Sequence, residues 1–199
     1  MTDDELLQGM ARGDQASFEA FVHRYHGPLS GYLQRKLRDP VKAEDFVQET
    51  FLRLIRQLNE RKIPDNAQAW LYRVALNLCR DHWKSGQYQA DSRRIAEPPD
   101  RADERPSVVE LAERQETRRE ILESMDELPE VQRDIIKLRF YQDLKLQDIA
   151  SVLDLPLGSV KTHLYKGLSR LKTRLLSPKP SDRTADRPKG GTRHEHANR

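Results

Sequence analysis

LQDIASVLDLPLGSVKTHLYKGLSRLK, running from Leu146 to Lys172, holds the clearest pair of helical patterns in the chain. Leu146, Ile149, Ala150, Val152 and Leu153 recur at helical spacing and mark a short helix. Asp154-Leu155-Pro156-Leu157-Gly158-Ser159 reads as a turn. Val160, Leu164, Leu168 and Leu171 then mark a second helix. The unit is a helix-turn-helix, and Ala150 is the small residue needed where the two helices touch.

Away from its apolar seam the second helix carries Lys161, Thr162, Tyr165, Lys166 and Arg170, with His163 at the border. Such a helix fits the major groove, where lysine reaches guanine edges and threonine a thymine methyl or a phosphate. A solvated basic face explains a lone helix equally well. Helix, tight turn and helix together favour DNA.

Outward from this unit the chain is helical throughout, and its fold class is all-α. Thr2 with Glu5 forms a capping box for a short first helix that Gly9 and Gly13 end. Asp14 caps the next, with Phe18, Phe21, Val22 and Tyr25 apolar. Gly27-Pro28 separates it from Leu29, Tyr32, Leu33 and Leu37. Asp39-Pro40 opens a helix reaching about Leu58. Pro64-Asp65-Asn66 caps another from about Ala67 to Lys84. Residues 85–110 hold Gly86, Pro98, Pro99, Pro106 and many charges, the composition of a flexible linker. Periodicity returns near Leu111, and Pro129 starts a further helix with Val131, Ile135 and Leu138. The domains expected are thus 1–84 and 111–176, with a disordered basic tail over 177–199.

The 199 residues are 36% hydrophobic and 34% charged, a mix that suits two small helical domains better than one large core. The tail holds six Lys/Arg against three Asp/Glu, so it alone accounts for the net charge of +3. DNA-binding charge must therefore be local, on basic faces of otherwise balanced helices. The single cysteine, Cys79, excludes an internal disulfide and a cysteine-rich zinc site. Cys79-x-x-His82 offers two metal ligands and His194-x-His196 lies in the tail, so neither makes a site. No cofactor is implied, and no histidine–carboxylate cluster suggests an enzyme. The acidic start, Met1-Thr2-Asp3-Asp4-Glu5, is unlike a signal peptide, and no apolar run approaches the roughly 18 residues of a membrane span. A cytoplasmic protein is expected.

The first domain carries two unusual faces. Val47, Phe51, Leu54, Ile55 and Leu58 make the inward stripe of one helix. Asp45, Gln48, Glu49 and Leu52 make a second stripe, acidic with one leucine. It suits solvent, and equally a protein partner that offers basic residues and a small apolar socket. On the next helix Leu71, Val74, Ala75, Leu78 and His82 face inward, while Arg73, Asn77, Arg80 and Lys84 share another face. Trp70, Tyr72 and Trp83 lie nearby, with Trp70 read as core. Cations, an amide and aromatics together suit single-stranded nucleic acid.

These residues, in this order, resemble the extracytoplasmic-function group of the sigma-70 family. The resemblance runs from about Asp3 to Leu176, interrupted by the linker. It rests on Gly13-Asp14-x-x-Ser17-Phe18-x-x-Phe21, Asp45-Phe46-Val47-Gln48-Glu49-Thr50-Phe51 and Trp70-Leu71-Tyr72-Arg73-Val74-Ala75-x-Asn77. Leu128-Pro129-x-x-x-Arg133 and the Gly158-Ser159-Val160-Lys161-Thr162 turn complete it. It implies sigma region 2 in the first domain and sigma region 4 in the second.

In the family, the helix bearing Asp45, Gln48, Glu49 and Leu52 docks on core RNA polymerase. The helix bearing Arg73, Asn77, Arg80 and Lys84, with the loop before it over 63–69, binds the −10 element. Lys161, Thr162, Tyr165 and Lys166 match positions that face the −35 element, and Arg170 is taken with them. The linker would thread into the polymerase's RNA channel. The resemblance further implies an alternative, stress- or envelope-responsive sigma factor, held by an anti-sigma factor that is often membrane-bound. Asp143 stands where many relatives have glycine, a place where Asp tolerates a left-handed backbone. Asp148 replaces a more usual glutamate. The rival is an autonomous helix-turn-helix regulator, which shares the second half and has no need of the acidic stripe.

Overall fold

The computed structural model describes residues 1–85 and 120–176, and every regular element in them is a helix. The linker beyond Ser85, the onset of periodicity at Leu111 and the tail from Ser177 lie outside the described residues.

Four helices build the first bundle: α1 (Asp3–Ala11), α2 (Gln15–Leu37), α3 (Pro40–Asn59) and α4 (Ala67–Lys84). Local chemistry sets their starts. The Thr2 hydroxyl accepts from Glu5 N–H at 3.3 Å, and the Glu5 carboxylate accepts from Thr2 N–H at 2.7 Å. Asp14, Asp39 and Asn66 each accept a backbone N–H three residues on, at 2.9–3.0 Å. Pro40 takes the first helical position of α3. Gly9 falls inside α1, and its role is packing. A Cβ there would lie 2.1 Å from Ser17 Oγ, so only glycine lets α1 meet α2 at this point.

Gly27-Pro28 does not separate two helices, because α2 runs straight through it. Pro28 forfeits one hydrogen bond, and a proline inside a helix costs about 3 kcal/mol. Against that, Phe21, Tyr25, Leu29, Tyr32 and Leu33 form one unbroken buried stripe. Each fully buried large side chain is worth about 1.5–3 kcal/mol, so the stripe wins.

The second bundle holds a helical segment over 120–126, here α5, then α6 (Glu130–Phe140), α7 (Leu146–Leu153) and α8 (Leu157–Leu176). Arg133 ties α6 to the turn before it, reaching Asp126 and the Leu128 carbonyl at 3.2 Å each. Asp143 has φ +49°, the left-handed turn expected of it. Asp154 has φ +57° and ends α7. The second helix of the helix-turn-helix begins at Leu157, three residues earlier than Val160. Gly158 and Ser159 look like breakers, yet the Val160 N–H already bonds the Pro156 carbonyl at 3.1 Å. Pro156 stands where a helix start leaves N–H groups unsatisfied anyway. α8 crosses α6 at Gly167, where a Cβ would lie 2.9 Å from Ile136 Cδ1.

The two bundles expected from the sequence are present, and they also pack on each other. α4 lies against α7, and the buried apolar residues of both halves form one cluster.

Candidate nucleic-acid interface

Helix α8 is anchored by Val160, Leu164, Gly167 and Leu171, all buried. Its seam therefore faces α6 and α7, and the opposite face is left in water. Lys161, Thr162 and Lys166 are exposed, and Tyr165 is 71% exposed. The Thr162 hydroxyl donates back to the Gly158 carbonyl at 3.0 Å. His163 is half-buried, with Nδ1 unpartnered among the described residues. Arg170 departs from this group. Exposed one turn beyond Lys166, it sits at the margin of the basic face and donates to Gln132 Oε1 at 2.9 Å.

On α4, Arg73 and Lys84 are exposed while Asn77 and Arg80 are half-buried. The Arg80 guanidinium donates to Asn77 Oδ1 at 2.8 Å and to the Leu153 carbonyl, the end of α7, at 3.2 Å. The four residues share one face as expected, and two of them are already engaged. Trp70 packs partly on the core and donates to Gln57 Oε1 at 3.1 Å. The inward stripe is broader than Leu71, Val74, Ala75, Leu78 and His82. Tyr72, Leu76 and Cys79 are also buried, and Val74, Leu78 and His82 are only half-buried.

On α3, Val47, Phe51, Leu54 and Leu58 are buried. The second stripe points to solvent: Asp45 and Gln48 are exposed and Leu52 is 47% exposed. Glu49 is half-buried beside Arg53 at 2.8 Å and Arg56 at 3.7 Å. The hydrogen bond from Arg53 holds its carboxyl below the usual range. Leu52 is thus an exposed apolar side chain on a helix face that also carries Asp45, Gln48 and Glu49.

The sequence did not single out the polar groups between the halves. The Lys36 ammonium reaches Asp134 at 2.7 Å and Glu130 at 2.9 Å, and sits 5.2 Å from the Trp83 ring centroid. The Tyr32 hydroxyl donates to Asp134 at 3.1 Å. Burial pulls the lysine down, but Asp134 and Glu130 outweigh it and hold the ammonium above its ordinary value. Burial also raises the Tyr32 and Tyr72 hydroxyls, and pushes the Cys79 thiol up to about 12. Only an acidic residue beside the apolar pair Ile135-Ile136 hinted at this cluster, and its partner lies 98 residues away.

Among the described residues no three side chains are grouped to hold a metal, and no helix is long and apolar enough to cross a membrane.

The chain matches the family model for sigma-70 region 2 over residues 21–88 and that for sigma-70 region 4 over residues 118–171. The RNA polymerase sigma-H factor of Pseudomonas aeruginosa is 30% identical over 171 residues, covering 82% of this chain and 89% of that protein. The ECF RNA polymerase sigma-E factor of Haemophilus influenzae is 26% identical, covering 88% of this chain and 96% of that one. Two solved structures share the fold. CnrH in complex with the cytosolic domain of CnrY has a TM-score of 0.60 at 21% identity, over 87% of this chain and 96% of that one. The sigma factor RpoE in complex with the anti-sigma factor NepR, from Bartonella quintana, has a TM-score of 0.61 at 19% identity, over 79% of this chain and 96% of that one.

Proposed function

Because this chain belongs to the extracytoplasmic-function group of the sigma-70 family, whose members bind core RNA polymerase and direct it to promoters, we propose that three of its faces divide that work. The exposed stripe of α3, Asp45, Gln48, Glu49 and Leu52, docks on the polymerase. Arg73, Asn77, Arg80 and Lys84 of α4, with the segment over 63–69 that leads into its first turn, take the single-stranded −10 element. Lys161, Thr162, Tyr165 and Lys166 of α8 read the −35 element in the major groove, with Arg170 at the edge of that contact.

One observation carries this division. The α3 stripe and the α8 face point to solvent on different helices, and each combines charge with one exposed large apolar side chain. An autonomous regulator would use only the second.

No covalent chemistry is assigned to the chain. Promoter opening draws on binding energy, with the cost of unstacking a base offset by its capture on α4. Two weak DNA contacts, tethered through the polymerase, gain strength from effective concentration. The protein works where the polymerase is, in the cytoplasm. An anti-sigma partner is supported by the fold shared with RpoE, which was solved bound to the anti-sigma factor NepR. Anchoring of that partner in a membrane follows from the family resemblance alone.

Run-off transcription tests the reading. Purified core polymerase plus this chain should initiate at a promoter that core polymerase alone ignores. Tight, sequence-specific promoter binding by the chain without polymerase would overturn it.

A further inference from the structure

We propose that a cleft between α2 and α6 binds a nucleotide, with the base against Tyr141 and the phosphates on Arg35, Arg38 and Lys137. The site goes beyond the three faces assigned above and borders them only at Gln68.

Charge marks one end of the cleft. A cavity of about 180 Å³ is lined by Arg35, Lys36 and Arg38 at the end of α2 and by Arg133 and Lys137 of α6. Glu130 and Asp134 are the carboxylates on its wall, and Lys36 holds both, at 2.9 Å and 2.7 Å. Arg133 is taken by Asp126 at 3.2 Å. Arg35, Arg38 and Lys137 have no ion-pair partner among the described residues. Lys137 is half-buried, and burial outweighs the carboxylates near it and pulls its ammonium below the ordinary value. Cations without a counter-charge on a concave wall attract an anion of several charges. Phosphate suits them, since guanidinium grips its oxygens in pairs and ammonium meets them as a point charge.

The other end suits a base. Arg35 also lines a second cavity of about 470 Å³, within the size range of small-ligand sites. Gly27 and Gly31, one helical turn apart, leave its α2 wall bare, and a Cβ on Gly27 would meet nothing within 4 Å. Tyr141, just past α6, lines the same cavity and is 56% exposed. Gln68 donates from Nε2 to the Gln142 carbonyl at 2.7 Å, which leaves its Oε1 to accept from a base N–H. No carboxylate lines this cavity. Arg24 does, but Asp3 and the Met1 carbonyl already hold it, so Arg35 is the cation open to a ligand. An open aromatic, an amide acceptor and a bare wall beside a cationic pocket meet both parts of a nucleotide, by stacking and by charge. An acidic peptide would use the charge and leave the ring idle.

The two walls come from different halves of the chain, so a bound nucleotide ties them together and raises the melting temperature.

The experiment titrates the full chain by calorimetry with ATP, GTP, tripolyphosphate and a short oligothymidylate, in magnesium-free buffer at low salt, with melting followed in parallel. At least one of the two nucleotides should bind with a Kd on the order of 10 μM and raise the melting temperature. Tripolyphosphate should bind about tenfold more weakly, for want of a base to stack. The double variant Arg35→Gln, Lys137→Met keeps the aliphatic stems and should weaken both ligands about 30-fold, with unliganded melting unchanged. Tyr141→Ala should bring the nucleotide down to tripolyphosphate and leave tripolyphosphate as it was. Arg12→Gln with Lys172→Met, which removes exposed cations elsewhere, should change nothing. Absence of binding by ATP and GTP below about 1 mM would overturn the site, as would equal weakening in the Arg12 and Lys172 variant. Equal binding of nucleotide and tripolyphosphate, unaltered by Tyr141→Ala, would overturn the base slot and with it the nucleotide. Displacement of ATP by a tighter-binding oligothymidylate would assign the cleft to a DNA strand instead.

Discussion

Replacing Leu52 by glutamine and Asp45 by lysine should weaken binding to core polymerase about 30-fold without disturbing the bundle. Leu52 is 47% exposed, so docking removes about half of its side chain from water. Full burial of a leucine is worth about 1.5–3 kcal/mol, which puts that half near 1 kcal/mol. Glutamine keeps the aliphatic stem that packs on α3 and has a similar helix propensity. The Asp45 side chain is 57% exposed, 3.6 Å from Lys42. Reversing its charge turns an attraction across the interface into a repulsion, about 1 kcal/mol. Within α3 the new lysine meets Lys42, at a cost of a few tenths of a kcal/mol. The two sites are two helical turns apart, about 10 Å, so their effects add to about 2 kcal/mol, or roughly 30-fold. Glu49 is the poorer target, because a lysine there would face Arg53 and Arg56 and confuse docking with repulsion inside the helix. The assay is equilibrium competition for purified core polymerase at fixed salt, with thermal melting measured in parallel. Affinity within twofold of wild type, in a variant that melts normally, would refute the docking face.

Four further outcomes are expected. Lys161→Ala with Lys166→Ala should lower −35-dependent transcription, spare core-polymerase binding and reduce the salt slope of duplex binding by about 2; equal loss on promoters without that element would indicate misfolding instead. Gly9→Ala should destabilise by about 1–3 kcal/mol, since its Cβ would lie 2.7 Å from Ser17 Cβ. Gly31→Ala meets only Arg35 at 3.5 Å and should raise the melting temperature by a few degrees through helix propensity. Stability should also fall as the pH rises above 9. An exposed Cys79 thiol titrates near 9.0, and burial pushes it to about 12 in the fold, so the unfolded chain releases that proton first. Lys36, held above its ordinary 10.5, adds stability that is complete below that value and lost as the pH passes its raised one. Melting temperatures measured from pH 8 to 11 should show the decline, with its onset delayed in Cys79→Ala.

Most helix boundaries were legible because caps act locally. Thr2, Asp14, Asp39 and Asn66 each satisfy backbone groups within three residues, so the sequence alone places those starts. The α3 and α8 faces were legible for a related reason. One turn of helix sets which side chains share a side, and a buried seam fixes which side is left in water. Breakers were misread where packing outweighs them. Pro28 sits inside α2 because the apolar stripe on both sides of it is buried together, and Gly158-Ser159 sit inside α8 because only Pro156 must precede the first turn.

The family, the all-helical fold, two modules in order and the faces each helix could present all follow from local residue patterns. Which of those faces are free depends on how the helices pack. Arg80 reads as a DNA contact from its spacing alone, but its guanidinium rests on the Leu153 carbonyl, 73 residues away. Lys36 and Asp134 read as ordinary surface charges until α2 and α6 bring them within 2.7 Å. Helical periodicity carries information over a few turns. Contact between two bundles depends on how whole surfaces fit and on which charges lose their water, and no local pattern encodes that.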